Sequence, residues 1–300
     1  MNVGIAGTGR MGAAIATRLL GQGHAVTVWN RTPAKLAPLV AAGAKAADSP
    51  AALAAASEAI ITILTDAAAI DATYGGAAGG PPGLLSGDVK GKLFIEMSTV
   101  RPGTAQGLAG KIRAKGAAMV ECPVGGTTGP AKEGKLLGFV GATDADFARA
   151  KPLLEQMCRR IEHVGPVGAG ASMKLAINLP LLVYYQALGE ALSLARPLGL
   201  DPARVMDIFA DTSGAPSMLK NRAASIATQL AGGNVPPTVD VDNVRKDLRT
   251  MIDEGHSLGV ALPVASRALE CFDRAAGDGF GAADCTKLPA YWAERGGRGR

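Results

Sequence analysis

Aromatic residues make up only 4 % of the 300-residue chain, too few for the stacking surface that grips single-stranded nucleic acid. Cysteine is scarce as well. The four cysteines, Cys122, Cys158, Cys271 and Cys285, lie far apart with no paired spacing, which argues against a zinc site or a disulfide framework and fits a reducing cytoplasm. No metal is therefore expected. The excess of one charge sign is modest, +5 overall, and part of it sits in a Gly/Arg tail holding Arg295, Arg298 and Arg300. Without that tail no basic patch remains, so a nucleic-acid partner is not expected. No apolar run reads as long and clean enough to span a membrane. The first residues, NVGIAG, enter a strand pattern directly and leave no room for a charged-then-apolar leader.

Hydrophobic residues are abundant, 48 % of the chain, enough for a substantial core over two domains or one large one. The first half alternates strand and helix signals. Residues 2–6 read as a short apolar strand, followed by Gly7-Thr8-Gly9-Arg10-Met11-Gly12, a helical pattern up to Gly21–Gly23, and a second strand over 25–30. Strand, GxGxxG, helix, strand is the setting of a dinucleotide-binding turn. The first glycine makes the turn, the second lets a pyrophosphate approach the backbone, and the third lets helix and strand pack closely. The helix N-terminus then offers free N–H groups to the phosphates.

Where an NAD-preferring fold carries a carboxylate for the ribose 2′-hydroxyl, this chain has Asn30, Arg31 and Thr32. Arg31 suits a 2′-phosphate and no carboxylate repels it, so NADP(H) is expected over NAD. Asn30 has a plainer reading, as the cap of a turn before Pro33. The alternation continues with strands over 59–64, 92–97, 117–121 and 136–141 and helices over 34–42, 49–57, 101–115 and 144–158. This predicts a mostly parallel α/β sheet with helices on both faces. Leu64-Thr65, Ser98-Thr99 and Cys122–Thr128 follow strands and should line the ligand-binding edge. Tyr74–Gly83 reads as a flexible loop, lid or disorder alike.

Val167–Arg196 combines a glycine-rich entry with a long apolar helix carrying Lys174 near its start. Lys174 and Asn178 stand four apart and share a face, and Pro180 predicts a kink just past Asn178. Taken alone, such a lysine packs its stem and sends its ammonium to water. After Arg196 only helices are expected, over about 201–211, 217–230, 241–258, 263–276 and 284–294, forming a bundle. The domains read as 1–165 (α/β, Rossmann-type), 166–196 (interdomain helix), 197–294 (all-helical) and 295–300 (disordered tail). The helix is longer and more apolar than one small bundle needs, which points to a homodimer or homotetramer.

Five blocks in order, GTGRMG, EMSTVRP, ECPVGGTTG, GAGASMKLAIN and VRKDL, resemble the β-hydroxyacid dehydrogenases, the family of 3-hydroxyisobutyrate dehydrogenase and tartronate semialdehyde reductase. The resemblance covers nearly the whole chain. It implies a Rossmann domain followed by a helical domain, and a small carboxylate-bearing substrate. Lys174 would be the general acid/base and Asn178 would orient the substrate. Gly125, Gly126 and Thr127 would hold the substrate carboxylate, Thr99 would sit near the nicotinamide ribose, and Lys246 would reach the cofactor. The physical case for Lys174 stands beside this. His24, His163 and His256 lie outside the five blocks, so the commonest proton acceptor is missing. A lysine can replace it where burial and a cationic nicotinamide favour the neutral amine.

The ECPVGGTTG block departs from the family's DAPVSGG: Gly125 stands at the serine position, with Thr127 or Thr128 to replace the hydroxyl. Ser217 would border the substrate; it and Thr99 also suit plain helix caps, and Lys246 a solvated helix face. The activity implied is interconversion of a 3-hydroxy acid and its semialdehyde or 3-oxo acid. Its rivals are a β-hydroxy amino acid dehydrogenase, an imine reductase, whose members usually lack the lysine, and a non-catalytic relative.

Overall fold

The computed structural model describes residues 1–295. Most of the strands are short apolar runs. In chain order they are β1 (Asn2–Ala6), β2 (Ala25–Trp29), β3 (Lys45–Ala46), β4 (Ala59–Thr62), β5 (Leu93–Glu96), β6 (Ala118–Glu121), β7 (Val124–Gly125), β8 (Leu136–Gly141) and β9 (Cys158–Gly165). The first seven helices lie between them: α1 (Arg10–Gly21), α2 (Ala37–Ala41), α3 (Pro50–Ala55), α4 (Ala67–Gly75), α5 (Pro102–Ala114), α6 (Thr128–Glu133) and α7 (Asp144–Leu154). A long helix, α8 (Ala169–Ala195), follows, and then α9 (Pro202–Ala210), α10 (Ser217–Leu230), α11 (Val241–Ser257), α12 (Pro263–Ala275) and α13 (Lys287–Arg295). The chain divides into two compact units, 1–175 and 176–300.

Among the described residues of the first unit the strands join one sheet in the order β3-β2-β1-β4-β5-β6-β8-β7, with β9 paired to β8. From β3 to β6 every pairing is parallel; β8 runs antiparallel to β6 and β7. Adjacent residues along a strand face opposite ways, and the core splits accordingly. Ile61, Ile95 and Val120 pack with Ile15 and Leu19 of α1 and Leu153 and Leu154 of α7. Their neighbours Ile60, Phe94 and Met119 pack on the other face with Leu53, Ile70, Leu108 and Ile112. A sheet covered on both faces reads as continuous apolar strands, which is why these runs were legible. Chain order reverses between β1 and β4, and ligands of open α/β sheets gather outside the carboxyl ends of strands at such a point.

Two elements correct the sequence reading. Tyr74 does not open a loop: Asp66 Oδ1 accepts from Ala69 N at 2.8 Å and caps α4, in which Tyr74 is 1 % exposed. The expected helix over 144–158 stops at Leu154, and Cys158 begins β9, whose Arg159, Arg160 and Glu162 hid its strand character. Charge on a strand with one partner protects an exposed edge.

In the second unit the described residues after Arg196 hold helices and no named strand. Leu188, Leu192, Met206, Leu219, Ile226 and Ala293 form a core cluster. Asp284 accepts from the backbone and hydroxyl groups of both Thr238 and Thr286 at 2.7–3.0 Å. Burial pushes its carboxyl up, but these donors outweigh it and hold Asp284 below the usual range.

Helix α8 runs unbroken through Pro180. By length and composition Ala169–Leu198 is long and apolar enough to cross a membrane, contrary to the sequence reading; no charge falls between Leu175 and Gly189. Its buried Leu182, Tyr185, Leu188 and Leu192 recur at helical spacing, the pattern of a helix with one face on a core. Arg295 closes α13 and pairs with Asp278 rather than starting a tail; residues 296–300 lie outside the described residues.

Candidate active site

The GTGRMG turn assigns each glycine a distinct job. Gly7 has φ 98°, and a Cβ there would stand 2.4 Å from the carbonyl oxygen of Ile63. At Gly12 a Cβ would stand 1.9 Å from the Gly7 carbonyl oxygen, so helix α1 can sit this close to β1 only without a side chain. A Cβ at Gly9 would meet nothing within 4 Å. That position is open toward the helix N-terminus, where a pyrophosphate would approach. Thr8 beside it is 3 % exposed, and its Oγ1 is buried with no hydrogen-bond partner. A buried hydroxyl without a partner is costly. No side chain caps α1 and no acidic residue stands in its first turn, so its free N–H groups and positive dipole end face the same place. Met11 is half-buried and Arg10 exposed. The turn fits the pyrophosphate of a dinucleotide.

At the end of β2, Asn30 Oδ1 accepts from Thr32 N at 2.8 Å. Asn30 thus holds the turn, as its plainer reading has it, and Arg31 next to it is exposed.

A buried polar network ties the next two turns together. Ser98 Oγ accepts from Leu64 N at 2.7 Å, and Glu96 Oε1 accepts from Ser98 N at 2.8 Å. Glu96 Oε2 accepts from Thr62 Oγ1 at 2.5 Å and from Tyr74 OH at 3.4 Å. Glu96 is 1 % exposed. Burial pushes its carboxyl up, and the donors on Ser98, Thr62 and Tyr74 oppose this in part. Burial, then the neighbouring Glu96, pushes the Tyr74 phenol up. The network fixes Leu64 at the end of β4 against the Ser98-Thr99 turn after β5. Thr65 is exposed and bonds to Asp66, while Thr99 is half-buried.

Strand β6 ends in Glu121, directly opposite Glu96 in the register of the sheet. Glu121 is 1 % exposed, and its Oε1 accepts from Gly168 N at 2.5 Å, Gly170 N at 2.8 Å and Ala171 N at 3.4 Å. These donors lie at the entry of α8. Burial raises its carboxyl to about 7, against the pull of the three N–H groups. The ECPVGGTTG loop continues through Gly126, φ 119°, where a Cβ would stand 2.9 Å from Leu136 Cδ2. Gly125 is different. Its φ is not positive, and a Cβ there would make only ordinary contacts, the nearest 3.7 Å away on Leu137. Packing therefore does not forbid the family's serine. Thr127 stands at the N-cap of α6 without a side-chain cap bond, and Thr127 and Thr128 are both half-buried.

Lys174 is 8 % exposed, one turn into α8, and Asn178 follows one turn later, half-buried. The sheet edge thus gathers the glycine turn, Leu64, Thr99 and the Gly125–Thr127 loop, and Glu121 fastens the helix of Lys174 to that edge. Lys246 belongs to α11 in the second unit, with Asp247 at 2.6 Å. His24 bonds to Gln156 and His163 to the Ala142 carbonyl, while His256 is exposed at the end of α11. Each histidine has a plain structural setting. Sequence reasoning missed Glu96 and Glu121. A signal was present: FIE and MVE both end a buried strand in glutamate, and the two strands are neighbours.

Residues 2–165 match the profile of the NAD binding domain of 6-phosphogluconate dehydrogenase, and residues 168–292 match the NAD-binding domain of NADP-dependent 3-hydroxyisobutyrate dehydrogenase. The chain belongs to the 3-hydroxyisobutyrate dehydrogenase family. It is 31 % identical to 2-(hydroxymethyl)glutarate dehydrogenase of Eubacterium barkeri, over 99 % of this chain and 96 % of that one. Identity to glyoxylate/succinic semialdehyde reductase 1 of Arabidopsis thaliana is 33 %, over 95 % and 96 %. Among solved structures, 3-hydroxyisobutyrate dehydrogenase of Salmonella typhimurium superposes with a TM-score of 0.85 at 27 % identity, over 97 % of this chain and 99 % of that one. A reductive aminase from Aspergillus terreus, in complex with NADPH and ethyl levulinate, covers as much at a TM-score of 0.64 and 26 % identity. The two-part architecture expected from the sequence is that of this family of NAD(P)-dependent hydroxyacid dehydrogenases.

Proposed function

We propose that the chain is an NADP(H)-dependent dehydrogenase of a small 3-hydroxy acid, working in reverse as a semialdehyde or 3-oxo acid reductase. The observation that carries this reading is Lys174: a buried lysine on a helix whose entry is bonded to the sheet edge that holds the dinucleotide turn. A bound nicotinamide accepts or donates the hydride. All else falls to the chain. Gly7–Gly12 and the α1 N-terminus hold the pyrophosphate, with the Thr8 hydroxyl gaining a partner. Arg31 and Thr32 take the 2′-phosphate, Leu64, Thr65 and Thr99 border the cofactor, and Lys246 is assigned to it by family resemblance. Gly125, Gly126, Thr127 and Asn178 orient the substrate carboxylate. Lys174 Nζ, as the neutral amine, takes the hydroxyl proton while hydride leaves the same carbinol carbon, so alcohol becomes carbonyl and the ammonium keeps the proton. Low-dielectric surroundings suit a lysine in this role.

The test is initial rate against 3-hydroxy acids and β-hydroxy amino acids with NADP⁺ and NAD⁺, for the wild type and Lys174→Ala. General-base removal should cost about 10²–10⁴-fold in rate. A second reading, reduction of imines, draws on the likeness to the Aspergillus terreus reductive aminase, and Lys174 argues against it. Cyclic imines with NADPH belong in the same panel: turnover of those alone would exchange the two readings. A cytoplasmic homodimer or homotetramer completes the proposal.

A further inference from the structure

We propose that Glu121 is a positioning residue, which sets where Lys174 sits by gripping the first turn of its helix. The inference rests on the reading of Lys174 as the proton acceptor. An α-helix leaves its first N–H groups without intrahelical partners, and α8 opens with glycine, alanine and glycine, none of which has a capping side chain. One carboxyl oxygen of Glu121 takes three of those groups, from Gly168, Gly170 and Ala171. The grip comes from the last residue of a buried strand, 47 residues earlier in sequence than Gly168, so it references α8 to the sheet rather than to a neighbouring loop. Two glycines make room for it. A Cβ at Gly141 would stand 2.1 Å from Glu121 Oε1. One at Gly170 would stand 2.4 Å from the Phe139 carbonyl oxygen and 3.2 Å from the same carboxylate. Ala171 is three residues before Lys174, less than one helical turn, so an error in the first turn passes to Lys174 with little averaging. Burial and the neighbouring Glu96 raise the Glu121 carboxyl, so the contact must hold even when the acid keeps its proton. Oε1 can still accept in that state. Length and an acceptor oxygen, more than charge, are therefore what the position requires.

Glu121→Gln keeps both length and acceptor, and Glu121→Ala removes both. The measurements are kcat, KM for the hydroxy acid, NADPH Kd by fluorescence titration, and thermal stability, with Lys174→Ala run in parallel. Glu121→Ala should lose roughly 10- to 100-fold in kcat, with KM and NADPH Kd within about three-fold of wild type, as expected for a misplaced catalytic group. Glu121→Gln should restore kcat to within about five-fold. A folded Glu121→Ala with kcat within three-fold of wild type overturns the inference. So does loss of kcat and NADPH binding together in both variants, which is the signature of a merely structural cap. If Glu121→Ala does not fold, Gly170→Ala decides, since its methyl pushes the helix entry off β8 and leaves Glu121 intact. A fall in kcat with NADPH binding kept supports the assignment, and unchanged kcat overturns it. Full activity of Lys174→Ala removes the underlying reading instead, a different result from an active Glu121→Ala beside an inactive Lys174→Ala.

Discussion

Adding one methyl group to the dinucleotide turn at two neighbouring positions should give opposite phenotypes. At Gly12 a Cβ would stand 1.9 Å from the Gly7 carbonyl oxygen and 2.9 Å from Ile63 Cγ2. The near atom is backbone and cannot rotate away, so Gly12→Ala must lift α1 by more than an ångström. That helix buries Ala14, Ile15, Ala16 and Leu19, and overpacking of this kind costs about 3 kcal/mol. At about 2–4 °C per kcal/mol for a domain of this size, the apo protein should lose roughly 6–12 °C in Tm. At Gly9 nothing lies within 4 Å and the backbone, φ −66°, suits alanine. Gly9→Ala should cost only about 0.5 kcal/mol, as an N-cap change, and shift Tm by about 2 °C or less. Its methyl occupies the space a pyrophosphate needs, so NADPH Kd should rise roughly ten-fold or more, about 1.4 kcal/mol. Thermal melts without cofactor and fluorescence titration with NADPH separate the two. An apo Tm for Gly12→Ala within 2 °C of wild type, or unaltered NADPH binding by Gly9→Ala, refutes the assignment of roles within the turn.

Other outcomes follow from the same geometry. Thr8→Val removes a buried hydroxyl without a partner, so apo stability should hold or rise while NADPH Kd increases roughly ten-fold, read by the same two assays. Arg31→Ala should weaken NADPH by roughly 10- to 100-fold, the worth of a charge-assisted contact, and leave NADH almost unchanged in parallel titrations. Gly125→Ser should fold normally and change the ranking of hydroxy acids in a kcat/KM panel, because space and backbone accept the side chain there. Glu121 makes stability depend on pH. Its folded carboxyl is raised from 4.5 to about 7, so between those values the unfolded chain gives up its proton first and rising pH costs the native state. Denaturant melts of wild type against Glu121→Gln should therefore diverge in favour of glutamine from pH 5 to 7, by about 3 kcal/mol at most, and run parallel above pH 7. A gap that narrows over that interval contradicts the burial argument.

The legible parts of the chain were those where one residue type serves one physical need. GTGRMG between two apolar runs announced the turn, since only glycine tolerates φ 98° at Gly7 and the close approach at Gly12. Strand–helix alternation announced the doubly wound sheet. The plainer reading of Asn30, as the cap of the turn after β2, matches the bond that its Oδ1 accepts from Thr32 N. What stayed hidden was tertiary. Strand β9 is stabilised by pairing to β8, and its charged sequence favours no strand by itself. Helix α4 was masked by the glycines that follow Tyr74, although Asp66 three residues before Ala69 was a cap in plain view. Glu96 and Glu121 end buried apolar runs, and nothing local in the sequence says what they meet. Only the register that pairs them, and the distant turn of α8 that Glu121 meets, shows them to be buried acceptors.

The most direct test of the central claim is the single-turnover rate of hydride transfer in Lys174→Ala, with NADP⁺ bound and a 3-hydroxy acid from the panel. With Lys174 as the proton acceptor, the rate should fall about 10²–10⁴-fold with NADP⁺ Kd unchanged. A rate within a few-fold of wild type, with cofactor bound, would show that some other group takes the proton.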